Sequence, residues 1–380
     1  MGNIPSDYLT FLKYCLDIEN RQIPKCVSTI DWHALLEFAR KQAIIGIYWR
    51  GIERLGNLPC NKPTPYQILP WISDVRDIRK QNDLLNEKTV YVNLGFHEEG
   101  FNCSILKGQG NALFYPDPTL RTPGDIDIWV WPKKNLKDYS ERKNYIIKYA
   151  QRFFPNAEIM EHHVDFPMLK DVNVEIHFTP LILRNPWKNK RLQNYWETTA
   201  SKQFSNVCTL AKGETFNVPS YEFNIIFQLL HMYKHLLSEG LGLRQVIDYY
   251  YLLKKSEDCL YNKEIIKKEE LINSLKLLGV EKFCKAIMWI LHEVLGLDQK
   301  YLLMKTDERE GKYLLEQILV SGNFGNMDVK IQELHQSEGH INRFIKRERF
   351  RWRLFTHYPS ESFWGSWFSF KEFFIHKIKR

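Results

Sequence analysis

CSILKGQGNALFYPDPTLRTPGDIDIWV, residues 103–130, is the stretch around which the chain is organised. Ser104 to Leu106 reads as a short apolar strand, Lys107-Gly108-Gln109-Gly110 as a turn, and Asp125-Ile126-Asp127 as the opening of a second strand. Side chains alternate across a strand, so Asp125 and Asp127 share one face while Ile126, Ile128 and Val130 share the other. Two carboxylates held that close repel, and each prefers to take up a proton unless a cation stands between them. A divalent metal meets that need.

In this order, a strand, a glycine turn and a strand carrying Gly-Asp-hydrophobic-Asp-hydrophobic, the stretch resembles the core of the polymerase-beta-like nucleotidyltransferases. Within that group, Leu106-Lys107-Gly108, Tyr115-Pro116, Arg121 and Asp125-Ile126-Asp127 are most similar to a bacterial family called uncharacterised nucleotidyltransferases. The resemblance implies a third acidic ligand on a neighbouring strand. Val172 to Phe178 (VNVEIHF) supplies a candidate, with Val172, Val174, Ile176 and Phe178 on one face and Asn173, Glu175 and His177 on the other. Glu175 is that candidate, the plainer alternative being an exposed Glu on a half-buried strand. His177 is close enough in pattern to join the site, either in direct contact or through an orienting hydrogen bond.

What the resemblance implies chemically is metal-dependent nucleotidyl transfer. Asp125, Asp127 and Glu175 would hold two Mg²⁺ ions, or Mn²⁺, and a hydroxyl-bearing acceptor would attack the α-phosphate of a nucleoside triphosphate with release of pyrophosphate. Glycine lets backbone amides approach phosphate, which assigns Lys107, Gly108, Gln109 and Gly110 to the nucleotide, with Lys107 and Arg121 as cationic contacts. Gly108-Gln109 stands where the broader superfamily usually has Gly-Ser or Gly-Gly. Lys234, one of the two nearby histidines (His231 or His235) and Arg244 are further candidates, reaching the triphosphate from the C-terminal part. For Arg244, an i,i+4 pairing with Asp248 is the structural alternative.

The fold expected is α/β: a polymerase-beta-like core with a small mixed sheet over residues 101–180, an N-terminal helical region over 1–100 and a C-terminal helical domain over 181–380. In the first region Asp31 is a helix N-cap ahead of Trp32, Leu35, Leu36 and Ala39, with a further apolar segment from Ala43 to Trp49. Gly56 to Pro65 breaks the pattern, and a long helix runs from Tyr66 into the first core strand. After Trp131-Pro132, Leu136 to Phe154 reads as an amphipathic helix and Ala157 to Phe166 as a strand. Glu161, His163 and Asp165 alternate onto one face of that strand, a rival transition-metal site.

Beyond Pro180, Pro186 to Arg191 reads as a linker or surface loop. Ser220 is a possible N-cap for a helix to about Leu237, carrying His231, Lys234 and His235. The two histidines lie one turn apart, but Met232 stands where a His-Glu-x-x-His metalloprotease has its general-base Glu. Further helices are expected at about Ile265 to Leu278, Glu281 to Leu295 and Lys312 to Val320.

The 380 residues, 44% hydrophobic and 26% charged, give no reason to expect global disorder. No apolar run approaches the roughly 18–20 residues that cross a bilayer, and no signal peptide is apparent, so a cytoplasmic protein is expected. Seven scattered cysteines read as reduced thiols rather than a disulfide or zinc framework. Ile341 to Arg380 carries ten Lys or Arg against three Glu, nearly the whole of the formal net charge of +8, interleaved with Trp352, Trp364, Trp367 and several Phe. That pattern suits an anionic partner, a nucleic acid or a membrane surface. The simpler reading packs the aromatics inward and leaves Lys and Arg stems outside. Three roles follow: a nucleotidyltransferase, a catalytically silent nucleotidyltransferase-like binding protein, or an anionic-surface binder.

Overall fold

α1 (Ser6–Leu16), α2 (Trp32–Gln42) and α3 (Ile45–Leu55) open the chain, and α4 (Pro65–Glu98) leads it into a sheet. The computed structural model describes residues 6–17, 19, 22–56, 60–238, 240–260, 268–323, 348 and 351–378. Asp31 caps α2 by accepting from the backbone amides of His33 and Ala34, which satisfies two donors that a helix start leaves without partners. At the other end Ala43 takes a left-handed conformation, φ 55°. The apolar segment that follows is therefore a separate helix, α3.

The sheet contains β1 (Phe101–Ile105), β2 (Ile126–Pro132), β3 (His163–Asp165) and β4 (Val174–His177), in the spatial order β1-β2-β4-β3. It is mixed: β1 runs antiparallel to β2, β2 parallel to β4, and β3 antiparallel to β4. Between β1 and β2 lies the single turn α5 (Gln109–Ala112), and α6 (Tyr139–Phe153) connects β2 to β3. One face of the sheet is wholly apolar. Phe101, Cys103 and Ile105 of β1, Ile126, Ile128 and Val130 of β2, Val164 of β3, and Val174 and Ile176 of β4 form one buried cluster with Leu85, Val92 and Phe96 of α4 and Ile146 and Ala150 of α6.

The buried positions of α4 explain its length. Trp71, Val75, Ile78, Asn82, Leu85, Thr89, Val92 and Phe96 recur at alternating steps of four and three, which keeps one stripe facing the core over seven turns. Two polar members of that helix have specific tasks. Asn82 Nδ2 donates to the carbonyls of Thr119 and Arg121, both at 2.9 Å, tying down the segment ahead of β2. Asn93 Nδ2 stands 3.3 Å from the buried Cys103 Sγ.

Chain contacts divide the described residues into two units. The unit containing the sheet comprises 69–182 and 193–227; the other comprises 1–68, 183–192 and 228–380. The sheet unit also holds the hairpin β5 (Val207–Thr209) and β6 (Thr215–Asn217). The second unit is helical: α1 to α3, then α9 (Leu243–Leu260), α10 (Lys268–Leu277), α11 (Glu281–Trp289), α12 (Glu308–Ser321) and α13 (Pro359–Ile378). α7 (Pro186–Gln203) and α8 (Tyr221–Ser238) have residues in both. Gly51 of α3 lets α1 approach closely, since a Cβ there would stand 2.1 Å from Cys15 Sγ.

Several expectations are corrected. Pro186 to Arg191 is the start of α7, not a loop. Pro186 is a favourable first helical residue, and the Asn185 side chain accepts from the amides of Trp187 and Lys188. The expected strand from Ala157 to Phe166 shrinks to β3, preceded by a single bridge between Ile159 and Val164. Past Trp289, α11 widens into a π-helical turn, Ile290–Val294.

The basic aromatic end is also arranged differently where it is described. Trp352, Phe363, Trp367 and Phe370 are exposed, while Arg351 is buried, its Nη1 2.6 Å from Glu348 and donating to Ser369 Oγ. Inward aromatics and outward arginines therefore describe these residues only in part, with Tyr358 buried and Arg353 exposed. Arg343, Lys346, Arg347, Arg349, Lys379 and Arg380 lie outside the described residues.

Candidate active site

The face of the sheet opposite the apolar cluster carries its chemistry in two rows. Asp127 of β2 is in register with Glu175 of β4, and Glu175 with Asp165 of β3. One residue pair further along, Trp129 is in register with His177, and His177 with His163. Neighbouring strands lie roughly 4.8 Å apart and residues two apart share a face, so three acids line up across three strands with two histidines beside them. Trp129 closes the row, stacked 5.5 Å from Phe223 of α8.

Asp127 is the centre of this surface and is only 1% exposed. Lys107 Nζ stands 2.8 Å from its Oδ1, and His177 Nε2 stands 3.1 Å from the same oxygen. An ionised carboxylate only accepts hydrogen bonds, so both nitrogens donate. Burial alone would raise the Asp127 carboxyl, but the Lys107 charge and the His177 hydrogen bond hold it below the ordinary carboxylate value. Glu175 Oε2 lies 3.3 Å from His177 Nε2. Its carboxyl is pushed up by burial and pulled down further, to about 2, chiefly by the hydrogen bond and charge of His177 and by Lys107.

The cations respond in the complementary sense. Burial works against the charged form of Lys107, yet Asp127, Asp125 and Glu175 together raise it above an ordinary lysine. Burial likewise lowers His177, and hydrogen bonds to Asp127 and Glu175 raise it overall. Asp127 and Glu175 are thus held ionised by one lysine and one histidine. Asp127 Oδ2 remains buried without a hydrogen-bond partner, an oxygen suited to a hard divalent cation such as Mg²⁺.

The backbone that brings Lys107 here is specific. Leu106 N donates to Asp127 O at 3.0 Å, extending the pairing of β1 with β2 by one residue. Gly108 then turns the chain at φ 56° and ψ −115°, a conformation costly for any residue with a Cβ. A Cβ there would also stand 3.2 Å from the Asp125 carbonyl oxygen. The turn of α5 follows at once.

Of the residues the sequence singles out, Lys107, Asp127, Glu175 and His177 come together in the sheet unit. Asp125 precedes β2 by one residue, half-buried, near enough to act on the charges of Lys107 and Glu175. Among the described residues, the groups of ligands within 4.8 Å of one another include Asp127 with Glu175 and His177, but not Asp125. Gln109 and Gly110 are buried, with Gln109 Nε2 donating to Asn86 Oδ1. Arg121 is 4% exposed, its Nη1 3.4 Å from the Thr122 carbonyl.

Lys234, His235 and Arg244 belong to the helical unit. There His235 Nε2 lies 3.0 Å from His231 Nε2, and Arg244 is 9% exposed. Of two neighbours of the acid row, Asp165 is one the sequence singles out, with Glu161 and His163 as a rival metal set, and His162 escapes sequence reasoning. Asp165 is placed there by the antiparallel pairing of β3, and His162 packs its ring 4.7 Å from that of His163. Asp165 carried an alternation signal; His162, one residue out of phase with it, carried none.

A sheet unit with paired acids on neighbouring parallel strands beside a glycine turn is compatible with nucleotidyl transfer as a class, and the family comparison gives the same class. The family model described as "uncharacterised nucleotidyltransferase" matches residues 28–296. The chain belongs to that family. The crystal structure of an antigenic nucleotidyltransferase-like protein from Paracoccidioides brasiliensis is similar at 13% identity, over 46% of this chain and 77% of that one, with a TM-score of 0.30. No curated protein matches the sequence. Among the described residues, no helix is long and apolar enough to cross a membrane.

Proposed function

We propose that the chain moves a nucleoside monophosphate from a nucleoside triphosphate to a hydroxyl-bearing acceptor and releases pyrophosphate. The observation that carries this reading is the register of Asp127 with Glu175 on adjacent parallel strands, both carboxyls held ionised within a largely buried face. Family membership supports the reaction class.

Asp125, Asp127 and Glu175 are the residues that would hold Mg²⁺, as two ions, with Mn²⁺ as an alternative. When bound, the metal activates the acceptor hydroxyl and stabilises the charge that grows on the phosphates. The side chains do the rest. His177 orients Asp127 and Glu175 together from one nitrogen, leaving Asp127 Oδ2 for a ligand. Lys107 balances the carboxylates in the free protein and is the cation nearest to incoming phosphate, with Gly108, Gln109, Gly110 and Arg121 as further contacts on the same side of the reaction. In the transfer itself, the acceptor oxygen bonds to the α-phosphorus as the bond to the β-phosphate oxygen breaks. The core over 101–180 is the catalytic part in this proposal.

Replacing Asp127 by Asn tests this. Mg²⁺-dependent pyrophosphate release from a scan of the four triphosphates is expected to disappear while the far-UV spectrum is kept; release at the unaltered rate defeats the assignment. A silent nucleotide-binding role is the second reading, favoured by one observation: Lys107 already neutralises Asp127 as a metal would. It predicts a raised melting temperature with a triphosphate and no pyrophosphate from the unaltered chain.

A further inference from the structure

Beside the acid row lie three imidazoles, of which the transfer reaction uses only His177. Their ring centroids are 4.7 Å apart for His162 and His163, and 5.2 Å from each of these to His177. All three residues are at most 9% exposed. One ligand nitrogen from each lies within 4.8 Å of the other two.

We propose that His162, His163 and His177 form a second metal site, for a transition-metal dication of the zinc type. Imidazole nitrogen suits Zn²⁺, Ni²⁺ and Cu²⁺, whereas Mg²⁺ takes oxygen. Zinc–nitrogen bonds of about 2.0–2.1 Å in tetrahedral geometry put ligand nitrogens about 3.3 Å apart. Closure from the observed spacing asks at most about 1.5 Å of movement, within reach of side-chain rotation.

The strongest support is the state of His177. Its Nε2 is engaged by Asp127 and Glu175, while its Nδ1 is buried with no hydrogen-bond partner. A histidine that donates one ring N–H to a carboxylate has its tautomer fixed and its second nitrogen made more basic for a metal. His163 has a similar neighbour, since Asp165 Oδ1 lies 3.3 Å from its Nε2. Glu175 Oε2 lies 3.6 Å from His163 Nδ1 and would be an oxygen at hand for a fourth ligand. His177 thereby joins the two sites, one nitrogen for each.

The test uses the full chain freed of metal, without nucleotide, so its failure leaves the transfer reading untouched. Zn²⁺ is titrated against a chromogenic chelator, and Co²⁺ is added separately to read the coordination from its visible absorption. One equivalent of Zn²⁺ is expected to bind and to stay bound under a large excess of Mg²⁺, with Co²⁺ showing the intense bands of a four-coordinate site. His162→Ala should weaken Zn²⁺ by at least the roughly 10- to 100-fold that loss of even an outer partner costs, and Asp125→Asn should leave it unchanged. His163→Gln serves where His162→Ala lacks the native far-UV spectrum. Substoichiometric Zn²⁺ binding, unaltered affinity in the histidine variants, or an equal loss in Asp125→Asn overturns the proposal.

Discussion

The two faces of the four-stranded sheet are built from the same strands and are governed by different physics. On one, Ile126, Ile128 and Val130 alternate with Val174 and Ile176 into a dry cluster under α4 and α6. On the other, Asp127, Glu175 and Asp165 form a line of charge, with only Asp127 buried outright. The apolar face is stabilised by many weak contacts, none chemically particular. The polar face is stabilised only where each charge meets an opposite one, since a buried ion without a partner is strongly destabilising. Substitutions on the first face should therefore be read in stability, and on the second in chemistry.

The largest stability effect is expected on the apolar side. Ile128 is 0% exposed at the middle of β2, and Ile128→Ala should cost about 2–5 kcal/mol from lost transfer energy and the cavity left behind. A shift of the urea midpoint with an unchanged slope would show it. A cost below 1 kcal/mol would mean that the apolar face is not the structural core.

A smaller effect is expected for Lys107→Met across the sheet. The change removes the 2.8 Å contact to Asp127 Oδ1 but leaves the 3.1 Å contact from His177. About 1–3 kcal/mol is expected, the cost of a buried acceptor losing one partner. Pyrophosphate release should fall together with stability. Loss of stability with full turnover would make Lys107 a structural counter-ion alone; the reverse pattern would make it a substrate contact.

How legible these faces are in sequence depends on how local their causes are. The alternation Asp125-Ile126-Asp127-Ile128 assigns faces because strand period is a property of neighbours, and the Asp31 cap is equally local. Register is not local. Nothing within residues 163–177 states that His163 faces His177 or that Asp165 ends the row begun by Asp127, because the parallel pairing of β2 with β4 joins segments 48 residues apart. Composition misled at Pro186 to Arg191, where Pro and three basic neighbours suggested a loop. The better signal was the buried spacing Leu192, Trp196, Ala200 that follows, one helical face. At the C-terminal end, aromatic content alone did not say which side of α13 would hold Phe363, Trp367 and Phe370, all exposed.

Asp165 lies at the margin between the two behaviours and makes the finest test of the comparison. Its side chain is 48% exposed and its nearest charged contact is His163 Nε2 at 3.3 Å, so water screens the pair and Asp165→Asn should change stability by less than about 1 kcal/mol. The residue nevertheless sets a carboxylate oxygen beside His163 Nε2, which favours the proton on that nitrogen. Amide for carboxylate weakens that control, and Zn²⁺ affinity should fall roughly 10- to 100-fold while the urea midpoint scarcely moves. The two readouts separate because folding senses how much charge is buried, whereas metal affinity senses how one ring is oriented. If stability and affinity fell in proportion, Asp165 would be holding β3 to β4 and not tuning His163, and the polar row would end at Glu175.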